Sequence, residues 1–489
     1  MPRSRTPRQP RALAPRHRVR SRAALAVALL LVPLAGCADA GARDGTVQIV
    51  VGYQSKTINT VTAGTLLRAK GWFEQRLDEL GARDGNEYEV VWQDYDTGAP
   101  ITAQMVAGKI DIGSMGDYPM LINGSRTQPL GEDRSIMVSV TGYNADGGLN
   151  GVVVPPESDA RTLSDLAGET VSTSVGSAGH GQLVRALEQA GLPADAVSVE
   201  NQQPQVGASA LESGAVAAQS QFVAWPGLLV FQDRARLLYD GAALGLPTLH
   251  GVVVGEPFAE ERPEVLNAFL QAQLDATTFL HENPLAAATI VAEDTGLPPE
   301  VVYLYNGPNG ISTFDATVKP ELVDALEQDI PLLEDIADLE ALDLDAFVDD
   351  SYLREAYGPG YEEDLASATN PAALTGTDAA CGVAVEDPAT AGELWLDGED
   401  TTRPAATPTC LLRQIREATA AGGTPRAAYV PDATTGTRWF ADHMTWVRDP
   451  GAEPDHRLLP FAAPSAADAY VADHPGAELV GYREALADA

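Results

Sequence analysis

The sequence has few lysines, histidines and cysteines, and its one sustained apolar run is short. Only four of its 489 residues are lysine, and acidic residues outnumber basic ones so far that the formal net charge is −37. Phosphate recognition requires a basic face, so this charge argues strongly against nucleic acid or anionic lipid as a partner. The acidic residues are spread along the whole chain, which is typical of a solvated surface rather than of a site.

Common catalytic signatures are also absent from the sequence. It contains no Gly-x-Ser-x-Gly elbow, no His-Glu-x-x-His helix and no phosphate-binding Walker loop. Ser177 and His180 lie on one tight turn, where they would more naturally share a ligand than act as nucleophile and base. We therefore predict that the protein is not an enzyme.

The N-terminal leader has the features of an export signal. Residues 1–22 carry eight arginines and no acidic residue, and 23–34 form an apolar run too short to span a bilayer comfortably. Leu34-Ala35-Gly36-Cys37 resembles the bacterial lipobox, after which Cys37 is lipidated and becomes the mature N-terminus. A plain secretory signal with a chance cysteine is the alternative. We predict a signal peptide over 1–36, a tether over 37–45 and an extracytoplasmic, membrane-anchored protein.

Strand-like and helix-like segments then alternate along the chain. This alternation predicts mostly parallel sheets covered by helices on both faces. Two Gly-rich crossings divide the region into a first lobe over about 46–142 and 250–357 and a second lobe over about 143–249. The fold class expected is an α/β two-lobed clamshell, which binds ligands in the crevice at the carboxyl ends of its strands.

Several finer expectations concern single segments. One helix is predicted to run to about Leu80, and the acidic stretch 321–353 is predicted to form an amphipathic helix with a solvated face rather than a metal site. The composition of 358–378 predicts a linker. Beyond it, 379–489 is predicted to be a small C-terminal α+β domain in which one helix, 466–472, stands out.

Two Gly-rich loops are the strongest indications of a ligand site. The strand 110–112 is predicted to lead into a turn over 113–119, and the Ser/Gly loop 174–181 precedes a helix in the other lobe. A Ser/Gly loop at a helix N-terminus offers free backbone N–H groups and a positive dipole end, which suit a small anion. The alternative is that the glycines only turn a strand-to-helix corner.

The arrangement resembles the substrate-binding proteins of ABC importers in the nitrate, sulfonate and taurine group, which includes thiamine-precursor binders. The resemblance covers about 46–355 and rests on 50–53, 63–73, 105–113, 176–181 and 225–226. It implies a periplasmic-binding-protein clamshell of type II, a small-molecule solute, and a permease and an ATPase as partners. The chain departs from the family after Gly214, where Ala217-Ala218-Gln219-Ser220 replaces the usual Asp-Ala pair.

The cleft residues follow from these loops and from the nearby aromatic side chains. The candidates are Tyr53, Gln54, Met115, Gly116, Asp117, Tyr143, Ser177, Gly179, His180, Phe222 and Trp225. Lys56 and His180 are the nearby cationic groups, and each aromatic residue could instead fill a core. Asp117, if it points inward, would hold an ammonium group. A zwitterion such as an aminosulfonate, or a pyrimidine-like ring, is therefore favoured over nitrate.

The order of residues in 376–489 is similar to the NosL family of copper-handling lipoproteins. In that family a Cys-Gly-Met turn is followed by a second cysteine, whereas this chain has Val383 after Cys381-Gly382. Losing the thioether weakens the case for Cu(I). Two interpretations stay open: a disulfide between Cys381 and Cys410, which an exported protein favours, or a soft copper site that also uses His443 and Met444. No other cofactor is expected.

These observations predict a lipid-anchored solute receptor that captures a sulfonate-like, taurine-like or nitrate-like ligand and presents it to an ABC permease. Ligand-stabilised closure of the hinge is the expected mechanism. A copper-delivery accessory protein that acts through the NosL-like domain is the main alternative. A sensor that signals without transport is the third hypothesis.

Overall fold

The computed structural model describes residues 46–337, 339–367 and 370–489. The expected signal peptide, the tether and the lipidation site Cys37 lie outside these residues. Within the described segments, no helix combines the length and the apolar character that crossing a bilayer requires.

The first lobe begins with four strands and four helices in alternation. They are β1 (Thr46–Tyr53), α1 (Thr65–Lys70), α2 (Trp72–Asp84), β2 (Glu87–Asp94), α3 (Gly98–Val106), β3 (Ile112–Gly116), α4 (Asp117–Thr127) and β4 (Ser135–Asn144). Gly71 has a φ of 64° and therefore separates α1 from α2. The single helix expected here is thus two helices.

The second lobe is one continuous segment of the chain. Its elements are β5 (Asn150–Val154), β6 (Thr170–Thr173), α5 (Ala178–Gln189), β7 (Ser198–Asn201), α6 (Pro204–Glu212), β8 (Ala218–Phe222), α7 (Trp225–Phe231) and β9 (Arg236–Asp240).

The chain then returns to the first lobe and completes it. The returning elements are β10 (Thr248–Gly255), α8 (Glu256–Glu261), α9 (Pro263–Glu282), α10 (Pro284–Thr295), α11 (Pro299–Asn306), β11 (Thr313–Phe314), α12 (Pro320–Ala337), α13 (Leu344–Phe347), α14 (Ser351–Tyr357) and α15 (Tyr361–Leu365). The amphipathic helix expected over 321–353 is found only in its first part, where α12 buries Leu322, Leu326 and Leu333 and leaves Glu321 and Glu327 exposed. It ends at Ala337, and the shorter α13 and α14 follow.

Each lobe is built on one sheet. The strand order is β11-β4-β10-β3-β1-β2 in the first lobe and β7-β6-β8-β5-β9 in the second. Both sheets are mixed rather than mostly parallel, because the strand that returns from the other lobe, β10, and the strand that enters it, β5, run antiparallel to both of their neighbours. The expected two-lobed α/β clamshell is confirmed, and its core lies against both faces of the sheets.

The two crossings between the lobes are packed backbone to backbone. A Cβ on Gly147 would lie 2.9 Å from the carbonyl oxygens of Gly241 and Leu246. Gly147 also has a φ of 101°, so only glycine suits this position. The Gly-rich composition that marked the crossings in the sequence thus has a steric reason.

A C-terminal α+β unit follows. Its elements are β12 (Thr377–Asp378), β13 (Val383–Ala384), β14 (Gly392–Leu396), β15 (Arg403–Ala405), α16 (Pro408–Ala420), β16 (Pro425–Pro431), β17 (Arg438–Phe440), β18 (Thr445–Arg448), β19 (Leu458–Phe461), α17 (Pro464–Asp473), β20 (Glu478–Val480) and α18 (Tyr482–Asp488). The described part of this unit has three helices where one was expected to stand out. Its two larger sheets have the orders β15-β14-β16-β17 and β19-β18-β20.

The C-terminal unit is joined to the clamshell by buried polar and aromatic contacts. The Tyr303 hydroxyl of α11 donates to Glu393 Oε1 at 2.7 Å, and Arg438 pairs with the other oxygen of Glu393. Phe231 at the end of α7 packs on Phe440, with 5.1 Å between the ring centres. The unit therefore contacts elements of both lobes.

Candidate ligand-binding cleft

A cavity of about 170 Å³ lies between the two lobes. Segments at the carboxyl ends of β1, β2 and β3 reach it from the first lobe, and those of β6, β7 and β8 reach it from the second. Its lining residues are Gln54, Thr97, Gly98, Ala99, Gly116, Pro119, Ser174, Val175, Gly176, Ser177, Ala178, Asn201, Gln203, Phe222 and His250. This is the position at which an α/β clamshell is expected to bind its ligand.

Four helices begin at the cavity wall. The N-cap residues of α3, α4, α5 and α6 are Thr97, Gly116, Ser177 and Gln203, and all four line the cavity. The first turn of a helix has backbone N–H groups without intrahelical acceptors, and its dipole places partial positive charge there. Two such ends from each lobe make the cavity favourable for an anion.

The described side chains that line the cavity include no Asp, Glu, Lys or Arg. The polar ones are hydroxyls, amides and one imidazole, and Phe222, Val175, Pro119, Ala99 and Ala178 supply apolar surface. An anion would therefore be held by neutral donors and would not meet a fixed counter-charge. A ligand cation would find no carboxylate among these residues.

His250 on β10 is a neutral donor at this site. The Asn59 amide nitrogen donates to the Gly142 carbonyl at 3.2 Å, which fixes the amide orientation and places that nitrogen 2.7 Å from His250 Nδ1. Nδ1 therefore accepts, and Nε2 carries the ring proton. Burial lowers the pKa of His250 to about 3, so the ring stays uncharged at neutral pH.

A pH titration of binding checks this assignment. Because His250 remains neutral down to a pH near 3, we expect the affinity for a sulfonate not to strengthen when the pH falls from 8 to 5. Isothermal titration calorimetry at several pH values measures it. A cationic His250 would instead make binding tighter as the pH fell through about 6.5, the ordinary histidine value.

The loop before α5 is fixed by hydrogen bonds within the loop and to Gln202 and Gln221. Ser174 Oγ donates to the Gln202 carbonyl at 2.9 Å and accepts from the Gln221 amide at 3.1 Å. The Gly176 N–H donates to His180 Nδ1 at 3.4 Å, and the His180 N–H donates to Ser177 Oγ at 3.4 Å. His180, expected to contact the ligand, instead shapes the loop, and burial lowers its pKa.

Four of the eleven residues proposed from the sequence line the cavity: Gln54, Gly116, Ser177 and Phe222. The others lie outside the lining that the described residues form: Tyr53, Met115, Asp117, Tyr143, Gly179, His180 and Trp225. The cationic candidate Lys56 does not line the cavity either.

Local structure explains why several of these residues do not line the cavity. Met115 belongs to β3, which extends to Gly116 and replaces most of the turn expected over 113–119. Tyr53 packs edge-on against Trp92 within its own lobe. Gly179 lies so close to β8 that an added Cβ would be 2.8 Å from Gln221 Cα. Trp225 is the first residue of α7 and belongs to a hydrophobic core.

Asp117 is fully buried and is not among the residues that line the cavity. Its carboxylate accepts from the backbone N–H groups of Tyr118 at 2.8 Å and Leu249 at 3.2 Å. Burial, and next the proximity of Asp329, raise the pKa of Asp117 above its ordinary value. The side chain therefore ties α4 to β10 and is not placed to hold an ammonium group.

In the C-terminal unit, Cys381 and Cys410 form a disulfide with a Cα–Cα distance of 5.9 Å. Asp378 lies beside the two sulfurs, but its carboxylate accepts from the N–H groups of Cys381 and Ala406.

The soft copper ligand set considered above is not assembled. His443 contacts Asp442 and Asp233, and Met444 belongs to the hydrophobic core. A disulfide offers no thiolate, so these residues do not fit Cu(I) in this state.

Comparisons with known proteins cover the clamshell. The family described as "NMT1/THI5 like" matches residues 102–287. The taurine-binding periplasmic protein of Escherichia coli K12 is 26% identical over 237 residues, which are 48% of this chain and 70% of that protein. A putative aliphatic sulfonates-binding protein of Bacillus subtilis 168 is 25% identical over 273 residues, 55% of this chain and 77% of the relative.

Solved structures show the same fold. The alkanesulfonate-binding protein SsuA from Xanthomonas axonopodis pv. citri, bound to MOPS, has a TM-score of 0.52 and 22% identity over 62% of this chain and 97% of that one. The periplasmic nitrate-binding protein NrtA from Synechocystis PCC 6803 has a TM-score of 0.51 and 15% identity over 68% of this chain and 94% of that one. The clamshell is thus similar in sequence to sulfonate- and taurine-binding periplasmic proteins and has the type II periplasmic-binding-protein fold.

Proposed function

We propose that this protein is the extracytoplasmic solute-binding component of an ABC importer for small organic sulfonates whose organic part carries no positive charge. The observation that carries the proposal is the interlobe cavity, where four helix N-termini and neutral donors converge without a charged side chain among the described lining residues. The similarity to sulfonate- and taurine-binding proteins supports the same class of ligand.

A sulfonate matches the two kinds of surface in the cavity. Its three oxygens carry a charge that does not titrate near neutral pH, and each oxygen accepts hydrogen bonds from N–H groups such as those at the start of α5. The apolar lining, with Phe222 as its largest member, suits a short organic chain. Nitrate would leave that apolar surface without a partner.

A zwitterion matches the cavity less well. The sequence favoured an aminosulfonate because Asp117 was expected to face the ligand, but the Asp117 carboxylate accepts backbone N–H groups outside the cavity. An ammonium group would be surrounded by neutral residues and by the positive ends of helices, which is unfavourable. We therefore place alkanesulfonates ahead of taurine.

The hydrogen bonds of Ser177 are consistent with ligand binding and not with catalysis. Its hydroxyl oxygen accepts the His180 backbone N–H, and the His180 ring accepts from Gly176, so the two side chains do not form a nucleophile-base pair. We propose that closure of the lobes over the ligand creates the form that a permease and its ATPase recognise. The arginine-rich leader and Cys37 support a lipid anchor at the outer face of the cell membrane.

Calorimetry and thermal shift with ethanesulfonate, taurine and nitrate test the proposal. Ethanesulfonate is expected to raise the melting temperature increasingly with its concentration, because it binds only the folded state. Taurine is expected to bind at least about 10-fold more weakly, since one unpaired buried charge costs more than the ~1.4 kcal/mol that a tenfold change represents. Equal or tighter binding of taurine, or no response to any sulfonate at millimolar concentration, would contradict the proposal.

A further inference from the structure

Two of the four helices that begin at the cavity, α4 and α5, also contact each other away from it. From its first turn, α5 of the second lobe continues to Arg185, which lies seven residues after the cavity residue Ala178 and thus on the same helix face. From the first lobe, α4 carries Tyr118, and α12 carries Asp329.

Arg185 joins the lobes through an ion pair. Its Nη2 lies 3.0 Å from Asp329 Oδ1 and also donates to the backbone carbonyl of Gln328. The Tyr118 hydroxyl donates to the same Asp329 oxygen at 3.1 Å. The Asp329 side chain is only 3% exposed, whereas that of Arg185 is 24% exposed. The first lobe therefore supplies a buried acceptor, Asp329, which Tyr118 already holds in place, and the second lobe supplies the partly exposed cation, Arg185.

Gly181, one turn before Arg185, allows this approach. A Cβ at Gly181 would overlap the end of the Tyr118 ring, so the bare backbone of α5 makes room for Tyr118. The steric contact and the ion pair lie on the same face of α5, and both join it to the first lobe. Neither Gly181 nor Arg185 lines the cavity.

We propose that Arg185, Asp329, Tyr118 and Gly181 form a closure latch, an interlobe contact that exists only in the closed clamshell and sets ligand affinity without touching the ligand. Opening would carry α5 away with the second lobe, while α4 and α12 stay with the first. Arg185 would then leave Asp329, and the Tyr118 ring would lose its place against Gly181. Ligand binding and latch formation therefore stabilise the same state and reinforce each other.

The clearest test replaces Arg185 with glutamine. We expect the dissociation constant for ethanesulfonate to rise about 10-fold, which lies between the effects of exposed and buried ion pairs. Small-angle X-ray scattering of the ligand-free protein is expected to give a larger radius of gyration than for the wild type. The melting temperature without ligand is expected to change little, because opening of the lobes returns the Asp329 carboxylate to water instead of leaving it buried without a partner.

Arg234→Gln is the matched control. Arg234 pairs with Glu212 within the second lobe at 2.9 Å, so its loss removes an ion pair of similar length without affecting closure. We expect both the affinity and the radius of gyration of this variant to equal those of the wild type. If Arg185→Gln behaves like Arg234→Gln in both measurements, the latch does not exist.

Two further variants separate the latch from a general loss of structure. Gly181→Ala favours helix α5 but prevents the approach of Tyr118, so it should weaken binding without lowering the melting temperature. Asp329→Asn combined with Arg185→Gln should weaken binding less than the sum of the two single changes, because they act on one contact. Additive effects, or a Gly181→Ala variant with wild-type affinity, would overturn the proposal.

The ligand-binding part of this inference rests on the proposed function, whereas the interlobe contact does not. If the wild type binds no sulfonate, the proposed function fails, and the radii of gyration of the ligand-free proteins still decide whether the latch holds the lobes closed. If the wild type binds ethanesulfonate and Arg185→Gln changes neither affinity nor radius, only the latch fails.

Discussion

Replacing Ser177 with aspartate is expected to abolish sulfonate binding while leaving the fold intact. Ser177 is the N-cap of α5 and lines the cavity, so a carboxylate there would occupy the positive end of the helix and repel an anion. Like charges placed together cost several kcal/mol, which corresponds to an increase of at least about 100-fold in the dissociation constant. Titration calorimetry with ethanesulfonate measures this change.

Ser177→Asn is the control that isolates the charge. Aspartate, asparagine and serine are nearly equivalent N-caps, so the two variants should melt at similar temperatures. The asparagine variant is expected to lose less than about 10-fold in affinity, because its amide keeps the cap and adds no charge. If both variants lost affinity to a similar extent, a change in the shape of the loop, and not repulsion between the new charge and a bound anion, would explain the loss.

Replacing Arg438 with methionine is expected to destabilise the protein by about 3–5 kcal/mol. Arg438 and Glu393 are an ion pair whose side chains are 4% and 1% exposed, and Arg438 also donates to the Pro308 carbonyl across the boundary with the clamshell. Removing the guanidinium leaves the Glu393 carboxylate buried with only hydroxyl partners, one of which is Tyr303. Urea denaturation, followed by tryptophan fluorescence, measures the loss.

Two comparisons make this prediction specific. Arg403→Met removes an exposed ion pair with Glu399 in the same unit and is expected to cost no more than about 1 kcal/mol. Arg438→Met combined with Glu393→Gln removes both charges and should be more stable than Arg438→Met alone. If Arg438→Met and Arg403→Met lower the free energy of unfolding by the same amount, the buried pair does not stabilise the interface between the C-terminal unit and the clamshell.

The fold was largely accessible from the sequence because the alternation of strands and helices repeats in both lobes. Some of the errors came from glycine, which has more than one structural use. Gly113 and Gly116 were interpreted as a turn, yet they lie in β3, where added Cβ atoms would meet Met105 Sδ at 2.7 Å and His250 Nε2 at 2.9 Å. These glycines make room for neighbouring side chains, and the sequence alone does not distinguish that use from a turn.

The site was predictable only where one local pattern described it. Ser177 follows from a Ser/Gly loop before a helix, and Gln54 follows from the end of a strand. His250 could not be found this way, because β10 comes back from the other lobe and pairs with β3, which places His250 opposite Gly116. The sequence also did not reveal that Asp117 lies outside the cavity lining, since a buried carboxylate that accepts backbone N–H groups has the same sequence signal as one that binds a ligand.

The crystal structure of the protein with ethanesulfonate tests the central claim most directly. We predict that the sulfonate lies between the lobes, with its oxygens within hydrogen-bond distance of backbone N–H groups at the start of α5 and of His250 Nε2. The ethyl group is predicted to face Phe222. A sulfonate bound outside this cavity, or bound inside it through a charged side chain, would contradict the account.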